Sequence, residues 1–189
     1  MSRIVFLLEE YSMKVLLEGL LTRLFPKMTF LFIHHEGKRD LEKSIPRKLK
    51  AWREPGVRFV VVRDNDGGDC TILKKRLVNM CSEAGRSDTL IRIAVQELEA
   101  WYFGDPKALA AAFGKPGLAA LEKKRKYREP DAIAKPSVEL ERLVPSFQKV
   151  SGARLMARHL ERKRNRSSSF RIFMKGLERL ASEMGENCA

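Results

Sequence analysis

Two aspartates set one residue apart, Asp64 and Asp66, follow directly on the run Phe59-Val60-Val61-Val62-Arg63. Carboxylates this close repel one another unless a positive charge lies between them, and a hard divalent cation held by oxygen ligands is the usual solution. The run itself reads as a buried strand, and side chains at i and i+2 of a strand point the same way. Asp64 and Asp66 therefore face one site if the extended backbone continues to Asp66. The stretch Asp64-Asn65-Asp66-Gly67-Gly68 is equally good turn chemistry, so the pair needs support from elsewhere in the chain.

That support lies in the elements that position it. Residues 4–8, 28–33, 57–62 and 89–95 read as strands. Between them come helical patterns at 12–25, at 40–52 and after Asp69. In the first helix Met13, Leu16, Leu17, Leu20, Leu21 and Leu24 form one apolar stripe, with Ser12 as N-cap and Pro26 as stop. Pro46 is expected to end or kink the second. In the third, Cys70, Leu73, Leu77, Met80 and Cys81 make the buried face, Asp69 caps and Gly85 terminates. Alternating strands and helices imply an α/β fold with a mostly parallel, four-stranded, Rossmann-like sheet flanked by helices. In such sheets ligands bind outside the carboxyl ends of the strands. Those ends carry Glu9 and Glu10, His34 and His35, Asp64 and Asp66, and Glu97 and Glu99. Of the last two, Glu97 lies nearer the strand and is the favoured partner of the aspartates.

The character changes after Trp101. Short helices are expected at 105–113, 118–128, 138–143, 152–160 and 170–184, so the chain reads as an α/β part, 1–104, with a helical basic extension, 105–189, packed on it or continuous with it as one domain. The extension carries Lys123, Lys124 and Arg125, then Arg162, Lys163, Arg164 and Arg166 beside Ser167. This second cluster lies at a helix start, where free N–H groups and the helix dipole favour anions. A nucleic-acid phosphate and a plain solvated charged face are both consistent with it. Trp101, Tyr102 and Phe103 read as core rather than as a base-stacking surface, and Cys70 as a small core residue. His34 and His35 read as a hydrogen-bonded pair, the alternative being a phosphate contact by His35 with Lys38. Residues 186–189 read as a frayed tail.

Composition narrows the partners. The 189 residues hold 37 Lys and Arg against 24 Asp and Glu, a net charge of +13, and are 44 % hydrophobic. The excess favours an anionic partner, most often nucleic acid, while the apolar share supports a real core. The first apolar run is too short for a secretory signal, and no stretch approaches a membrane span. Three cysteines, Cys70, Cys81 and Cys188, without a C-x-x-C pair, read as reduced thiols in a cytoplasm rather than as a zinc site.

The stretches Leu8-Glu9-Glu10 and Asp64-Asn65-Asp66 resemble the Toprim domain of topoisomerases, primases and a group of nucleases, which places a glutamate after its first strand and Asp-x-Asp after its third. With His35-Glu36-Gly37-Lys38, Asp69-Cys70, Glu97-Leu98-Glu99-Ala100-Trp101, Asn165-Arg166-Ser167 and Ser169-Phe170 added, the chain resembles a small bacterial family related to Toprim nucleases of the overcoming-lysogenization-defect type. The resemblance implies magnesium or manganese held by Asp64, Asp66 and Glu9, with Glu9 also a candidate general acid or base. It implies a further acidic ligand at Glu97 or Glu99 and a phosphodiester substrate. Glu10, His35, Lys38 and Asp69 are possible accessory groups. A role in bacterial defence beside an ATPase partner also follows from the resemblance alone. Two positions depart from the pattern: Glu10 stands where many Toprim proteins have glycine, and Met13 where many such nucleases have a second carboxylate.

Three readings follow. The first is a metal-dependent nuclease. The second is a module that grips nucleic acid or a partner without cleaving, to which Met13 points. The third is a receiver-like phosphoacceptor built on Glu9, Glu10 and Asp64. Receivers need Ser or Thr after the fourth strand, where this chain has Gln96-Glu97.

Overall fold

Each apolar run becomes a strand: β1 (Arg3–Leu8), β2 (Thr29–His34), β3 (Arg58–Asp64) and β4 (Leu90–Ala94). The computed structural model describes residues 3–185, so Cys188 and the expected frayed tail lie outside the described residues. All pairings are parallel, in the order β2-β1-β3-β4. Parallel strands need crossovers, supplied here by helices α1 (Tyr11–Leu24), α2 (Lys38–Ala51) and α3 (Cys70–Glu83). The central strands β1 and β3 are covered on both faces, which is why they are apolar without interruption. Alternation sends Phe6, Leu8, Val60 and Val62 toward the α1 side, and Val5, Leu7, Phe59 and Val61 toward α2 and α3.

Two helix details differ from expectation. The cap of α1 is Glu10, in extended conformation, while Ser12 lies inside the helix and gives its hydroxyl to the Glu10 carboxylate. Helix α2 runs through Pro46. One backbone bond is forfeited there, but Leu41, Ile45 and Leu49 stay buried on one stripe on both sides of the proline and keep the helix on the sheet.

The second half contains α4 (Ala100–Phe103), α5 (Pro106–Phe113), α6 (Pro136–Leu143), α7 (Lys149–His159) and α8 (Ser168–Glu183). The helix expected at 118–128 is instead a set of 3-10 turns, Pro116–Lys123 and Arg125–Tyr127. Only Leu118, Leu121 and Tyr127 are buried there, and Lys123 to Lys126 offer no apolar stripe of α-helical period. The boundary expected after residue 104 does not separate two cores. One apolar cluster runs from Ile4 and Phe6 through Trp101 to Phe170 and Leu180. Helix α7 packs on α1 so closely that a Cβ at Gly19 would stand 2.8 Å from the Ala157 side chain, and α8 lies along β4. No helix among the described residues is long and apolar enough to cross a membrane.

Candidate functional site

Sheet register assembles the site. Leu8 lies opposite both His34 and Val62, and Asp64 opposite Ala94, so Glu9, Asp64 and the turn after β4 share one rim. Asp64 is the last residue of β3 and is buried. The Glu9 carboxylate accepts the Asp64 backbone N–H at 3.2 Å and lies 3.7 Å from the Arg63 guanidinium. Arg63, buried and pointing to the opposite side from Asp64, also pairs with Glu42.

Extended backbone does not continue to Asp66. Its φ is +50°, so the chain turns left-handed there, as aspartate tolerates better than most side chains. Asn65 shapes the turn. Its side chain accepts from the Gln96 N–H at 2.5 Å and donates to the Gly68 carbonyl at 2.7 Å, while the Asp66 N–H reaches the Gln96 carbonyl at 3.0 Å. Asp66 is exposed and pairs with Lys38 at 3.1 Å. The two aspartates are therefore placed by a bound turn, not by strand alternation, one inside the rim and the other on it.

The two glutamates after β4 diverge. Glu97, favoured for its nearness to the strand, accepts the Ser137 N–H at 2.7 Å at the start of α6. Glu99 turns inward instead and is 1 % exposed. The backbone has already begun to coil at Glu99, with φ −64° and ψ −19°, so i and i+2 no longer share a face. Three buried polar atoms here have no hydrogen-bond partner: Asp64 Oδ1, Glu99 Oε2 and Tyr102 Oη. Burial, reinforced by Glu9, Glu99, Glu10 and Asp66, raises the Asp64 pKa well above the ordinary carboxylate value. Burial pushes Glu99 up to about 7 despite the opposing Lys149 ammonium. Glu9 is raised by burial and then by Asp66. The Tyr102 hydroxyl is raised by burial, with Glu99, Glu10 and Asp64 adding to it.

Lys149, at the start of α7, answers this charge. Burial would lower its pKa, but Glu99, Glu10 and Asp64 outweigh burial and hold it above the usual lysine value. Its ammonium stands 3.4 Å from Glu10. Sequence reasoning missed Lys149, because a single lysine among many in the basic half carries no local signal. Tyr102 was read as core, which its burial supports, but its unpartnered hydroxyl had no signature.

The accessory and basic candidates are mostly committed elsewhere. His35 is buried, with Nδ1 2.8 Å from the Leu8 carbonyl and Nε2 2.8 Å from Ser44 Oγ, so both ring nitrogens are used inside the fold. Asp69 caps α3 by accepting from the Thr71 and Ile72 N–H groups. Arg162 pairs with Glu178, and Arg164 binds the buried Asp105 carboxylate through two contacts of 3.1 Å. Arg166 donates to the carbonyls of Arg128 and Tyr127 and lies near Glu122. The start of α8 does attract an anion, but the anion is Asp131, which accepts from Ser167 Oγ at 2.6 Å and from the Ser169 N–H at 2.8 Å. Arg162, Arg164, Arg166 and Ser167, the expected phosphate contacts, are thus each engaged by groups of the chain itself. Lys123, Lys124, Arg125 and Lys163 remain exposed.

The site's chemistry suits a hard cation: its buried orphan acceptors are carboxylate oxygens, the donors such an ion prefers. Among the described residues, however, no three His, Cys, Asp or Glu side chains stand close enough together to hold a metal ion as they are placed.

The α/β fold, a four-stranded parallel sheet flanked by helices, is shared with the C-terminal regions of OLD proteins. That of Xanthomonas campestris pv. campestris is 15 % identical over 97 % of each chain, with a TM-score of 0.55. That of Burkholderia pseudomallei is also 15 % identical, over 97 % of this chain and 99 % of its own, with the same TM-score. The chain belongs to the family described as Domain of unknown function (DUF4276), whose profile matches residues 8–178. No curated protein matches it.

Proposed function

We propose that the chain is a divalent-cation-dependent phosphodiesterase acting on nucleic acid, a nuclease of the Toprim type. The observation that carries this reading is the Asp64 carboxylate, buried at the end of β3 with an unpartnered oxygen and with Glu9 and Glu99 beside it. A buried carboxyl with an unpartnered oxygen and further carboxyls around it is costly, and a protein without a use for it has little reason to keep it.

Asp64, Glu9 and Glu99 are the residues that would hold magnesium or manganese once side-chain rotation draws together carboxylates that stand too far apart as placed, with Asp66 at the entrance. Such an ion, when bound, polarises a phosphoryl oxygen and neutralises developing charge. The chain's own groups supply the rest. Glu9 has a second role open to it in place of metal ligation, since its burial-raised carboxyl could exchange a proton. Lys149 and Lys38 place ammonium groups at the rim, where phosphate oxygens of a nucleic-acid strand would lie. Exposed Lys123, Lys124, Arg125 and Lys163 add the long-range field that gathers the strand.

The test is cleavage of supercoiled plasmid and of single-stranded RNA with magnesium or manganese. Asp64→Asn is expected to lower the rate by about a hundredfold or more without lowering the melting temperature. Cleavage that survives Asp64→Asn overturns the proposal. A second reading, a non-cleaving nucleic-acid module, is favoured by Met13, which is buried core where a second carboxylate would serve catalysis. Salt-sensitive binding without cleavage under either metal supports that reading instead.

A further inference from the structure

A second surface lies apart from the carboxylates. Strand β4 pairs only with β3 among the described residues, so its other edge carries no strand, and the Arg92 guanidinium covers the Ile91 carbonyl there. A cleft of about 560 Å³ runs along it between α3 and α8, and none of the site carboxylates lines it. The apolar part of its wall is formed by Val78 of α3, Ile91 and Ile93 of β4, Val95, and Ile172 of α8. Ile172 is 55 % exposed and Val78 38 %. Open strand edges with apolar surroundings are sites of strand addition, in which backbone bonds give affinity and alternating side chains give specificity.

The charge of the cleft narrows the occupant. Lys74, Lys75 and Arg92 line it, and among the described residues none of them forms an ion pair. Arg92 is half-buried, with its guanidinium laid against Gly176, where any Cβ would stand 2.3 Å from Nη2. It donates to the Ile172 carbonyl at 3.2 Å and to the Ile91 carbonyl at 2.8 Å, contacts that fix its position without neutralising it. The single acid lining the cleft, Asp131, is already engaged by Ser167 and Ser169. No aromatic residue lines the cleft to stack on a base.

We propose that this cleft receives an extended segment of a partner protein, with alternating apolar and acidic side chains, as a fifth strand beside β4. The proposal is independent of the nuclease reading, since it uses a different face and different residues.

The probe is a fluorescein-labelled peptide of about eight residues with alternating valine and glutamate, compared with one in which lysine replaces glutamate and with an oligothymidylate. The glutamate peptide is expected to bind saturably and to shift the backbone amide signals of β4, α3 and α8. Ile172→Asp, and Lys74→Glu combined with Lys75→Glu, are each expected to weaken it by about tenfold or more. These positions are exposed, and circular dichroism verifies that both variants fold. Three results overturn the proposal. One is equal binding of the lysine peptide, or none of either. Another is displacement of the glutamate peptide from the same amides by the oligothymidylate. The last is self-association of the wild type that Ile172→Asp abolishes, which would make a second copy the occupant.

Discussion

Replacing Glu99 by glutamine is expected to stabilise the protein at alkaline pH. Burial lifts the Glu99 pKa from 4.5 to about 7 in the folded chain. The folded state therefore holds a proton more tightly than the unfolded state, and stability falls as pH rises from about 4.5 to about 7, then levels off. A shift of that size corresponds to about 3 kcal/mol. Glutamine keeps the shape, removes the titration and relieves the neighbouring Asp64. For a domain of this length the gain is about 6–12 °C in melting temperature at about pH 8.5. The difference should shrink toward zero below about pH 4.5, where both proteins carry a neutral group. The assay is thermal melting followed by circular dichroism across that range. Magnesium should raise the wild-type midpoint more than that of Glu99→Gln, since only the wild type offers this carboxylate. A variant that melts at or below the wild type at about pH 8.5 refutes the reasoning, because Glu99 would then not be strained by its surroundings.

Two further substitutions test the framework around the site. Asp131→Ala removes the anion at the start of α8 and the partner of the Ser167 and Ser169 groups, and is expected to lower stability by about 1–2 kcal/mol in chemical denaturation. An unchanged midpoint would show that the contact is replaced by water. Gly104→Ala would set a Cβ 2.0 Å from Asn165 Oδ1 and 3.0 Å from the Ser167 backbone N. The Asn165 side chain is buried and bonded to the Trp101 carbonyl and the Ser167 N–H, so it has no room to yield. A loss of about 2 kcal/mol or more is expected, read by the same melts.

The strands, their order along the chain and the rim that collects carboxylates are legible in the residues, because burial on both faces leaves an unbroken apolar run. The tips are less so. Nothing in Asp64-Asn65-Asp66 distinguishes two more extended residues from a left-handed turn, and the turn is held by Gln96, some thirty residues away. Nearness to the strand favours Glu97 over Glu99, but the choice depends on where coiling begins and on Ser137, which claims Glu97. A helix start invites an anion, but the sequence does not say which one, and at the start of α8 the chain supplies its own. Asp131 fills the place because local chain geometry brings it there. Clusters of arginine likewise say nothing about which carboxylates lie across from them in space.

Helices α7 and α8 cover a face whose strands and first helix come much earlier in the chain. A ribosome that has released everything through β4 has therefore made a sheet with its α2 and α3 side closed and the leucines of α1 without their final neighbours. Until α7 and α8 emerge, that nascent intermediate presents bare apolar surface and is a natural client for chaperones. A stop codon placed before α7 should accordingly yield aggregated product, not a smaller working domain.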